Sequence, residues 1–487
     1  MAAATTPTID WSDVQGMVLK GYGKHPYSAN LLLRIDDAAR ARGWLASASS
    51  RVTSAQQAQA RGDEPFLNVA LSRTGLAKLG FSEDTLITFP TAFLEGMTSP
   101  NRRRILGDDE AGPPESLAWG GPGREVDAIA LIFARTPAGL DAAVASERTA
   151  LTGLSLVVDP IATQLWPDGR EHFGFHDGIS QPVIEGSPPP LHPPAPAPVD
   201  AAYVDANVIK AGEFLLGYNN EYDVLPDAVD LPVGSDPGGL LTTVTLPDNS
   251  AVPDLGHNGT YLVVRQVAQD VPKLWNYLDA ATKDASGQSR PDEREKLGAK
   301  LVGRWPSGAP MAVAPDKDDP TRSEESQFLY SAIDPDGFGC PFGAHTRRAN
   351  PRDTLGDDPT EALKLTKRHR LIRRGRSYGP KAADPLDASD TQERGLMFMA
   401  INANIERQFE FVQQTWINSP SFNGLYDERD PIFGQPGGQP SGSMTIPRKP
   451  VRRSLHGLGG FVTVRGGAYF FLPSLKALKY LAATPGR

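Results

Sequence analysis

The order of strands and helices in the first 160 residues is the feature that most constrains the fold of this 487-residue chain. Apolar runs typical of strands and segments typical of helices follow one another as strand, helix, strand, strand, helix, strand. The strands are predicted at 29–35, 66–72, 127–135 and 154–159, and the helices at 36–48 and 136–151. This order is that of a ferredoxin-like unit, in which helices cover one face of an antiparallel sheet.

The second half of the chain shows a similar but less regular succession of predicted strands and helices. Strands are predicted at 212–218, 261–267, 396–403 and 461–472, helices at 271–283 and 405–416, and loops at 284–325 and 426–450. The prolines crowded into 187–198 exclude a helix or a sheet interior and predict an extended connector. We therefore predict an α+β fold of two ferredoxin-like halves, residues 1–186 and 211–487, joined by a connector at 187–210.

Charge and cysteine content narrow the function classes. The net charge of −9 argues against general nucleic-acid binding and against attraction to anionic membranes. Cys340 is the only cysteine, so disulfide scaffolds and thiolate zinc sites within one chain are excluded. The N-terminus has no basic leader, and no apolar run of about 18 residues occurs. A cytoplasmic protein is the expectation, or a secreted one if a leader has been removed.

The sequence lacks several common catalytic motifs. It contains no HExxH, Walker A loop or GxGxxG after a strand, so zinc-protease and nucleotide-binding functions have no support. His172 and His176 have the i, i+4 spacing of a helical metal clamp. Gly174 and Gly178 disfavour a helix there, so we do not predict a metal site from this pair.

A basic stretch around His345 points to an anionic partner. Arg347 and Arg348 follow His345, and residues 364–376 carry seven Lys or Arg in thirteen positions of an acidic chain. A solvated face, a localisation signal or a nucleic-acid strip would each account for such a run. It lacks the interleaved aromatic residues of a single-strand binder. A carboxylate-bearing cofactor also accounts for clustered arginines, and the histidine offers a metal ligand.

Asp177 stands out within the run GFHDGISQP at 174–182. An Asp-Gly dipeptide by itself predicts only a turn. Here the acid is flanked by Phe175 and Ile179, and glycines on both sides allow close approach of the backbone. That setting suits a carboxylate directed into a cavity.

Four ordered blocks of sequence carry a resemblance to a known family. They are GFHDG at 174–178, CPFGAHTRRANPR at 340–352, LIRRGRSYGP at 371–380, and RGLMFMAINANIERQFEFVQQTW at 394–416. With these blocks the chain resembles the dye-decolourising (DyP-type) haem peroxidases over nearly its whole length. The wording AHxRxxNPR and the long C-terminal half are more similar to the fungal-type and related bacterial branch.

The resemblance implies one haem b per chain, enclosed by the two halves. His345 is then the proximal ligand of the iron, bound through one imidazole nitrogen. Asp430 matches the acidic residue that accepts a hydrogen bond from the other nitrogen. Arg347 is implied as the partner of a haem propionate.

The resemblance also implies a distal side. Asp177 becomes the acid–base residue and Arg373 the distal arginine, with Arg374 as the alternative. Leu396 and Phe398, which alternate on one strand, line the distal pocket and narrow the access to it. Because a carboxyl titrates near ~4 and an imidazole near ~6.5, an aspartate in this role predicts an acidic optimum for dye oxidation.

The implied function is reduction of hydrogen peroxide and oxidation of dyes, phenolics or other organic reductants through a ferryl intermediate. Bulky dyes do not fit a narrowed pocket, so electrons are expected to leave through redox-active surface side chains. Tyr378 and Trp416 are the candidates, although Trp416 also suits a core position on a helix. The alternative function is a haem-binding or iron-handling protein that has no peroxidase turnover.

Overall fold

The computed structural model describes residues 7–60, 62–188, 206–245, 249–434 and 442–483. Most of the predicted connector, residues 189–205, lies outside these ranges. The strands, in chain order, are β1 Tyr27–Ile35, β2 Phe66–Leu71, β3 Ala128–Ala134, β4 Leu154–Leu156, β5 Ile161–Gln164, β6 Val183–Ile184, β7 Val208–Ile209, β8 Thr242–Thr245, β9 Ala251–Asp254, β10 Thr260–Gln269, β11 Ile372–Arg373, β12 Arg376–Tyr378, β13 Gly395–Asn402, β14 Gly442–Ile446, β15 Arg453–Leu458 and β16 Val462–Leu472.

Most helices are short and connect the strands. The α-helices are α1 Gly16–Leu19, α2 Ala38–Ser49, α3 Ala55–Ala60, α4 Arg73–Lys78, α5 Glu83–Leu86, α6 Thr91–Glu95, α7 Pro100–Leu106, α8 Pro137–Ala150, α9 Val271–Thr282, α10 Pro291–Val302, α11 Tyr330–Ile333, α12 His345–Ala349, α13 Pro359–Lys367 and α14 Leu475–Ala483. Short 3₁₀ turns lie at Asp108–Ala111, Pro114–Ser116, Ala211–Glu213, Pro320–Arg322 and Phe422–Gly424, and π-helical turns at Glu406–Glu410 and Val412–Ile417.

The N-terminal sheet has the strand order β2-β3-β1-β5, and all of its pairs are antiparallel. Alternate side chains of β1 point to opposite faces. Leu31 and Leu33 pack beneath α2 with Trp44, whereas Leu32 enters a second core cluster. Each of these leucines is fully buried, and each burial contributes about 1.5–3 kcal/mol to the stability of the fold. Both faces of the strand are therefore apolar and covered.

The C-terminal sheet repeats this arrangement with the order β16-β10-β13-β12. Two single residue pairs join the sheets edge to edge: Phe471 with Leu71, and Ser377 with Gln164. Leu32 of the first sheet and Leu262 of the second share one core cluster. The predicted α+β fold with two ferredoxin-like halves is confirmed, and the halves close into one ring of strands.

Three local predictions are wrong. Residues 212–218 form a 3₁₀ turn and further turns instead of a strand. A side chain at Gly212 would come within 2.1 Å of the Tyr218 carbonyl oxygen, so the chain folds back on itself there. The predicted loops 284–325 and 426–450 contain α10 and β14. Most residues of helix α10 are charged or polar, so its apolar face is difficult to recognise in the sequence. Pro291 at its start and Gly303 after its end are typical helix boundaries.

Candidate active site

A cavity of about 310 Å³ lies against the outward face of the C-terminal sheet. Its walls come from the segment that carries the GFHDG motif, the end of α10, the start of α12, the sheet itself and the π-helical turns. Residues that line it include Phe175, Asp177, Arg304, His345, Arg352, Arg373, Leu396 and Phe398. All four sequence blocks that carried the family resemblance contribute residues to the cavity wall. The block at 394–416 supplies the part of the wall that belongs to the sheet.

His345 begins α12 and presents its ring to the cavity. The Nδ1 atom lies 2.9 Å from Asp430 Oδ2, so an N–H at Nδ1 donates to this carboxylate. The ring is embedded in the protein, yet 36% of the side chain is accessible because it borders the cavity. Nε2 makes no hydrogen bond with any described residue. One imidazole nitrogen is therefore held, and the other is free to act as a ligand.

Asp430 is a rigid partner for this ring. Its side chain is fully buried, and Oδ1 accepts hydrogen bonds from the backbone N–H groups of Ile432 (2.9 Å) and Phe433 (2.8 Å). Burial alone would lower the pKa of His345, but the charge of Asp430 and the hydrogen bond to it raise that pKa above its ordinary value. Burial likewise opposes ionisation of Asp430, but the charge and hydrogen bond of His345 lower the carboxyl pKa. Each group favours the charged form of the other.

Asp177 and Arg373 meet on another part of the cavity wall. Arg373 Nη1 lies 3.7 Å from Asp177 Oδ1, and Nη2 donates to the Ile179 carbonyl at 2.6 Å. Asp177 Oδ1 also accepts from the Gly178 N–H at 2.6 Å, whereas Oδ2 has no hydrogen-bond partner among the described residues. The charges of both groups act on His345 across the cavity. One carboxylate oxygen is thus held while the other remains available.

The structure distinguishes two neighbouring arginines. Arg373 is in β11 and lines the cavity, whereas the guanidinium of Arg374 donates to the carbonyls of Met17 and Val18. Adjacent residues of an extended chain point to opposite sides. Only Arg373 is therefore brought to Asp177.

The prediction that Arg347 pairs with a propionate requires correction. Arg347 does not line the cavity; its fully buried guanidinium donates to Asp334 (3.2 Å) and to the Cys340 carbonyl (2.8 Å). It also lies between the rings of Tyr330 and Phe342, 4.2 and 4.3 Å from their centroids. These contacts occupy the group that a propionate would need, so Arg347 has a structural role.

Two arginines that sequence reasoning missed, Arg304 and Arg352, line the cavity. Arg304 donates to Ser180 Oγ (2.8 Å), and Arg352 donates to the Phe328 carbonyl (2.9 Å). Burial, and then the charges of Arg352 and Arg373, lower the pKa of Arg304 to about 10. Arg352 and Ser180 both have left-handed backbone angles, φ 55° and 60°. Strained non-glycine residues cluster at functional sites, and closely placed guanidinium groups suit a carboxylate-bearing partner.

Leu396 and Phe398 lie where the alternation of β13 predicts. Both are partly exposed to the cavity, whereas Met397 and Met399 are buried on the opposite face. Phe398 also packs against Phe409, with ring centroids 6.1 Å apart. The two side chains form an apolar wall on the sheet side of the cavity.

Neither candidate for surface electron transfer lies at the surface. Tyr378 is 7% exposed and Trp416 is 3% exposed. Trp416 packs edge-on against His369 and Phe411, which is the core position that the sequence also allowed. Contact with a bulky dye requires an accessible ring, so the structure does not support this role for either residue.

None of the helices in the described ranges combines the length and the hydrophobicity needed to span a bilayer. Within the same residues, His, Cys, Asp and Glu side chains form no group of three that could hold a metal ion. The rings of His172 and His176 are hydrogen-bonded separately, to the carbonyls of Tyr378 and Ser307. His345 differs from the other histidines that line the cavity, His176 and His369, because a buried carboxylate holds its Nδ1. A single protein ligand of this kind is the arrangement expected for a metal carried by a larger cofactor.

The whole chain is similar to known proteins in both sequence and structure. The chain is 30% identical to dye-decolorizing peroxidase msp1 of Mycetinis scorodonius, covering 98% of this chain and 88% of the relative. It is also 30% identical to the multifunctional dye peroxidase DyP2 of an Amycolatopsis species, covering 96% and 95% respectively. The crystal structure of a DyP from Auricularia auricula-judae superposes with a TM-score of 0.77 at 28% identity, covering 98% of this chain and 100% of that one. No protein-family model matches the chain.

Proposed function

The chain belongs to the dye-decolorising peroxidase family, and we propose that His345, Asp430, Asp177 and Arg373 form its catalytic centre. As a member it is a haem peroxidase, an oxidoreductase that uses hydrogen peroxide to oxidise organic reductants. This confirms the predicted peroxidase function. The observation that carries the proposed centre is the free Nε2 of His345, which faces the same cavity as the Asp177–Arg373 pair.

The cavity residues fit a haem. Iron needs a neutral imidazole nitrogen, and His345 offers Nε2 while Asp430 holds Nδ1. The haem carboxylates need cations, and we assign this role to Arg304 and Arg352 in place of Arg347. Cys340 is fully buried and does not line the cavity, so a thioether link to the porphyrin is not available. These features favour haem b, held without a covalent bond to the chain.

Asp177 is suited to moving one proton. When bound, haem supplies the iron that binds peroxide and takes up its oxidising equivalents. The reacting peroxide must lose a proton from one oxygen and gain one on the other. Asp177 Oδ2, which has no partner among the described residues, can accept that proton and return it. Oδ1 stays fixed by the Gly178 N–H and by Arg373.

Arg373 and the apolar wall support this proton transfer. The guanidinium is fixed by its hydrogen bond to the Ile179 carbonyl, so its charge is preorganised for the negative charge that develops on the leaving oxygen. Leu396 and Phe398 limit the space beside Asp177 and keep water out, which strengthens these electrostatic interactions.

The proposed centre is tested by loading haem-free protein with haemin and following absorbance. We expect one haemin per chain, a pyridine haemochrome spectrum of haem b, and peroxide-dependent oxidation of a dye. Arg352→Leu is expected to weaken haemin binding about tenfold, because a desolvated charge pair is lost. Unchanged haemin affinity in Arg352→Leu and in Arg304→Leu would contradict the assignment of the carboxylate partners.

Replacing Asp430 by asparagine tests the histidine pair. The raised pKa of His345 means that its ring keeps a proton to a higher pH than an ordinary imidazole, and iron must displace this proton to bind. Haemin affinity of the wild-type protein should therefore rise as the pH increases through this raised pKa. In Asp430→Asn the pKa of His345 falls, so this rise moves to lower pH, and lost ring orientation reduces affinity or activity about 10–100-fold.

Haemin titrations across pH measure both effects. Asp427→Asn is the matched control, because Asp427 is exposed and has a left-handed φ of 54°, which asparagine tolerates. An identical pH dependence in the wild type and in Asp430→Asn would show that the carboxylate does not control the protonation of His345.

A further inference from the structure

Glu171 is a partly buried carboxylate on the cavity wall that the proposed proton transfer does not use. It stands six residues before Asp177, in the run EHFGFHD. Oε1 accepts a hydrogen bond from the Phe175 N–H (3.0 Å), and Oε2 accepts one from the Phe173 N–H (2.8 Å). The Gln269 side-chain Nε2 also donates to Oε2 at 2.6 Å. Two backbone donors of the segment that leads to Asp177 thus converge on one side chain.

The backbone of this segment closes around the same residue. The Glu171 N–H donates to the Phe175 carbonyl and the Gly174 N–H donates to the Glu171 carbonyl, both at 2.9 Å. The Asp177 N–H then donates to the Gly169 carbonyl at 3.0 Å. Gly174 has φ 92°, which lets the chain reverse at this point. Residues 169–177 therefore form a compact loop with the Glu171 carboxylate at its centre.

Gln269 connects this loop to the rigid part of the fold. It is the last residue of β10, and its backbone N–H donates to the Arg394 carbonyl at 2.8 Å. Strand β10 pairs along its length with both β13 and β16. The loop is thus tied to the same sheet that carries Leu396 and Phe398. A side chain fixed through such a supporting hydrogen bond is positioned more accurately than one on a free loop.

We propose that Glu171 is a positioning residue for Asp177, holding the 169–177 loop in the shape that directs the Asp177 carboxylate into the cavity. This rests on the proposed function, in which Asp177 moves the proton. Misplacement of a reacting group by about 1 Å costs on the order of 10²-fold in rate. Loss of the convergent hydrogen bonds, which frees two buried backbone donors, is sufficient for such a shift.

The charge state of Glu171 supports this role. Burial is the largest cause that raises its pKa to about 7; the loop and Gln269 hydrogen bonds oppose this increase, and the charge of Asp177 adds to it. The groups that act on the carboxyl are thus Asp177 on the loop and the uncharged Gln269 on the strand. Above a pH of about 7 the carboxylate prevails, and it accepts all three hydrogen bonds. Below that pH the protonated acid is a weaker acceptor.

The experiment compares haem-loaded Glu171→Leu, Glu171→Gln and Asp168→Asn with the wild type. Glu171→Leu removes both acceptors, whereas Glu171→Gln keeps one amide oxygen. Asp168→Asn is the matched control, since it removes an exposed carboxylate of the same segment that pairs with Lys381. The three readouts are hydrogen exchange at the Phe173 and Phe175 amides, the bimolecular rate constant with peroxide, and the rate at which dye reduces the peroxide-oxidised enzyme.

We expect Glu171→Leu to speed exchange at both amides at least about tenfold and to slow the peroxide reaction on the order of 10²-fold, with the dye step unchanged. Glu171→Gln should recover part of the peroxide rate, and its deficit should be larger at about pH 8 than at about pH 5. Asp168→Asn should behave as the wild type.

Peroxide rates of both Glu171 variants within about twofold of the wild type would overturn the proposal, as would unchanged amide exchange. An equal loss in the peroxide and dye steps would also overturn it, because general damage to the structure predicts that result. Failure of the proposed function is distinguishable: Asp177→Asn would then keep the wild-type peroxide rate, while exchange in Glu171→Leu would still increase.

Discussion

His345→Ala is expected to reduce peroxidase turnover to the level of free haemin. The substitution removes an imidazole whose Nε2 faces the cavity and whose Nδ1 is held by a buried carboxylate. His176 and His369 also line the cavity, but each is hydrogen-bonded to a backbone carbonyl instead. It also leaves Asp430 buried without its hydrogen-bond donor at Oδ2. An unsatisfied buried acceptor costs about 1–3 kcal/mol, so the free energy of unfolding of the haem-free protein should fall by a similar amount.

The measurement is haem absorbance and peroxide-dependent dye oxidation in the purified variant, with and without added imidazole. Imidazole is small enough to occupy the vacated space beside Asp430, so it should restore part of the spectrum and activity. The control is His456→Ala, because His456 is exposed on β15 and is not among the residues that line the cavity. A wild-type spectrum and wild-type turnover in His345→Ala would place the iron ligand elsewhere.

Asp177→Asn is expected to slow the reaction with peroxide about 10²–10⁴-fold while haem binding is retained. Asparagine keeps an oxygen that can accept the hydrogen bond from the Gly178 N–H, so we expect the loop to keep its conformation. What it lacks is a basic oxygen at the position of Oδ2. The loss is therefore one of proton transfer, and it should appear in the bimolecular rate constant with peroxide.

Asp177→Glu distinguishes the loss of a carboxylate from a change in its position. It keeps the carboxylate on a longer side chain, so its peroxide rate should fall less than that of Asp177→Asn. Stopped-flow absorbance measures both variants. If Asp177→Asn reacts with peroxide at the wild-type rate, the proton acceptor is another group, and Glu171 is the next carboxylate on the same wall.

The fold was accessible from the sequence because its elements carry strong local signals. Strands such as β1, β3 and β10 are apolar on both faces, and α2 and α8 follow them with suitable caps. The strand predicted at 212–218 was wrong because a short apolar run between glycines has the same sequence pattern as a short strand. Helix α10 was not predicted because most of its residues are charged. In both cases the local conformation depends on contacts with segments that are distant in the sequence.

The sequence by itself determined the succession of most strands and helices along the chain, the family, and the motifs that carry His345 and Asp177. Tertiary structure alone decided which arginines face the cavity. Arg373 and Arg374 lie in one motif and carry the same charge, yet only Arg373 lines the cavity. The same holds for Arg347 and Arg352, of which only Arg352 lines the cavity. The direction of the backbone at each position decides which side chain faces the cavity. Tertiary structure also decided that Glu171 contacts Gln269, 98 positions away. Pattern fixes which residue types occur at which spacing, whereas the direction of a side chain depends on what the folded chain packs around it.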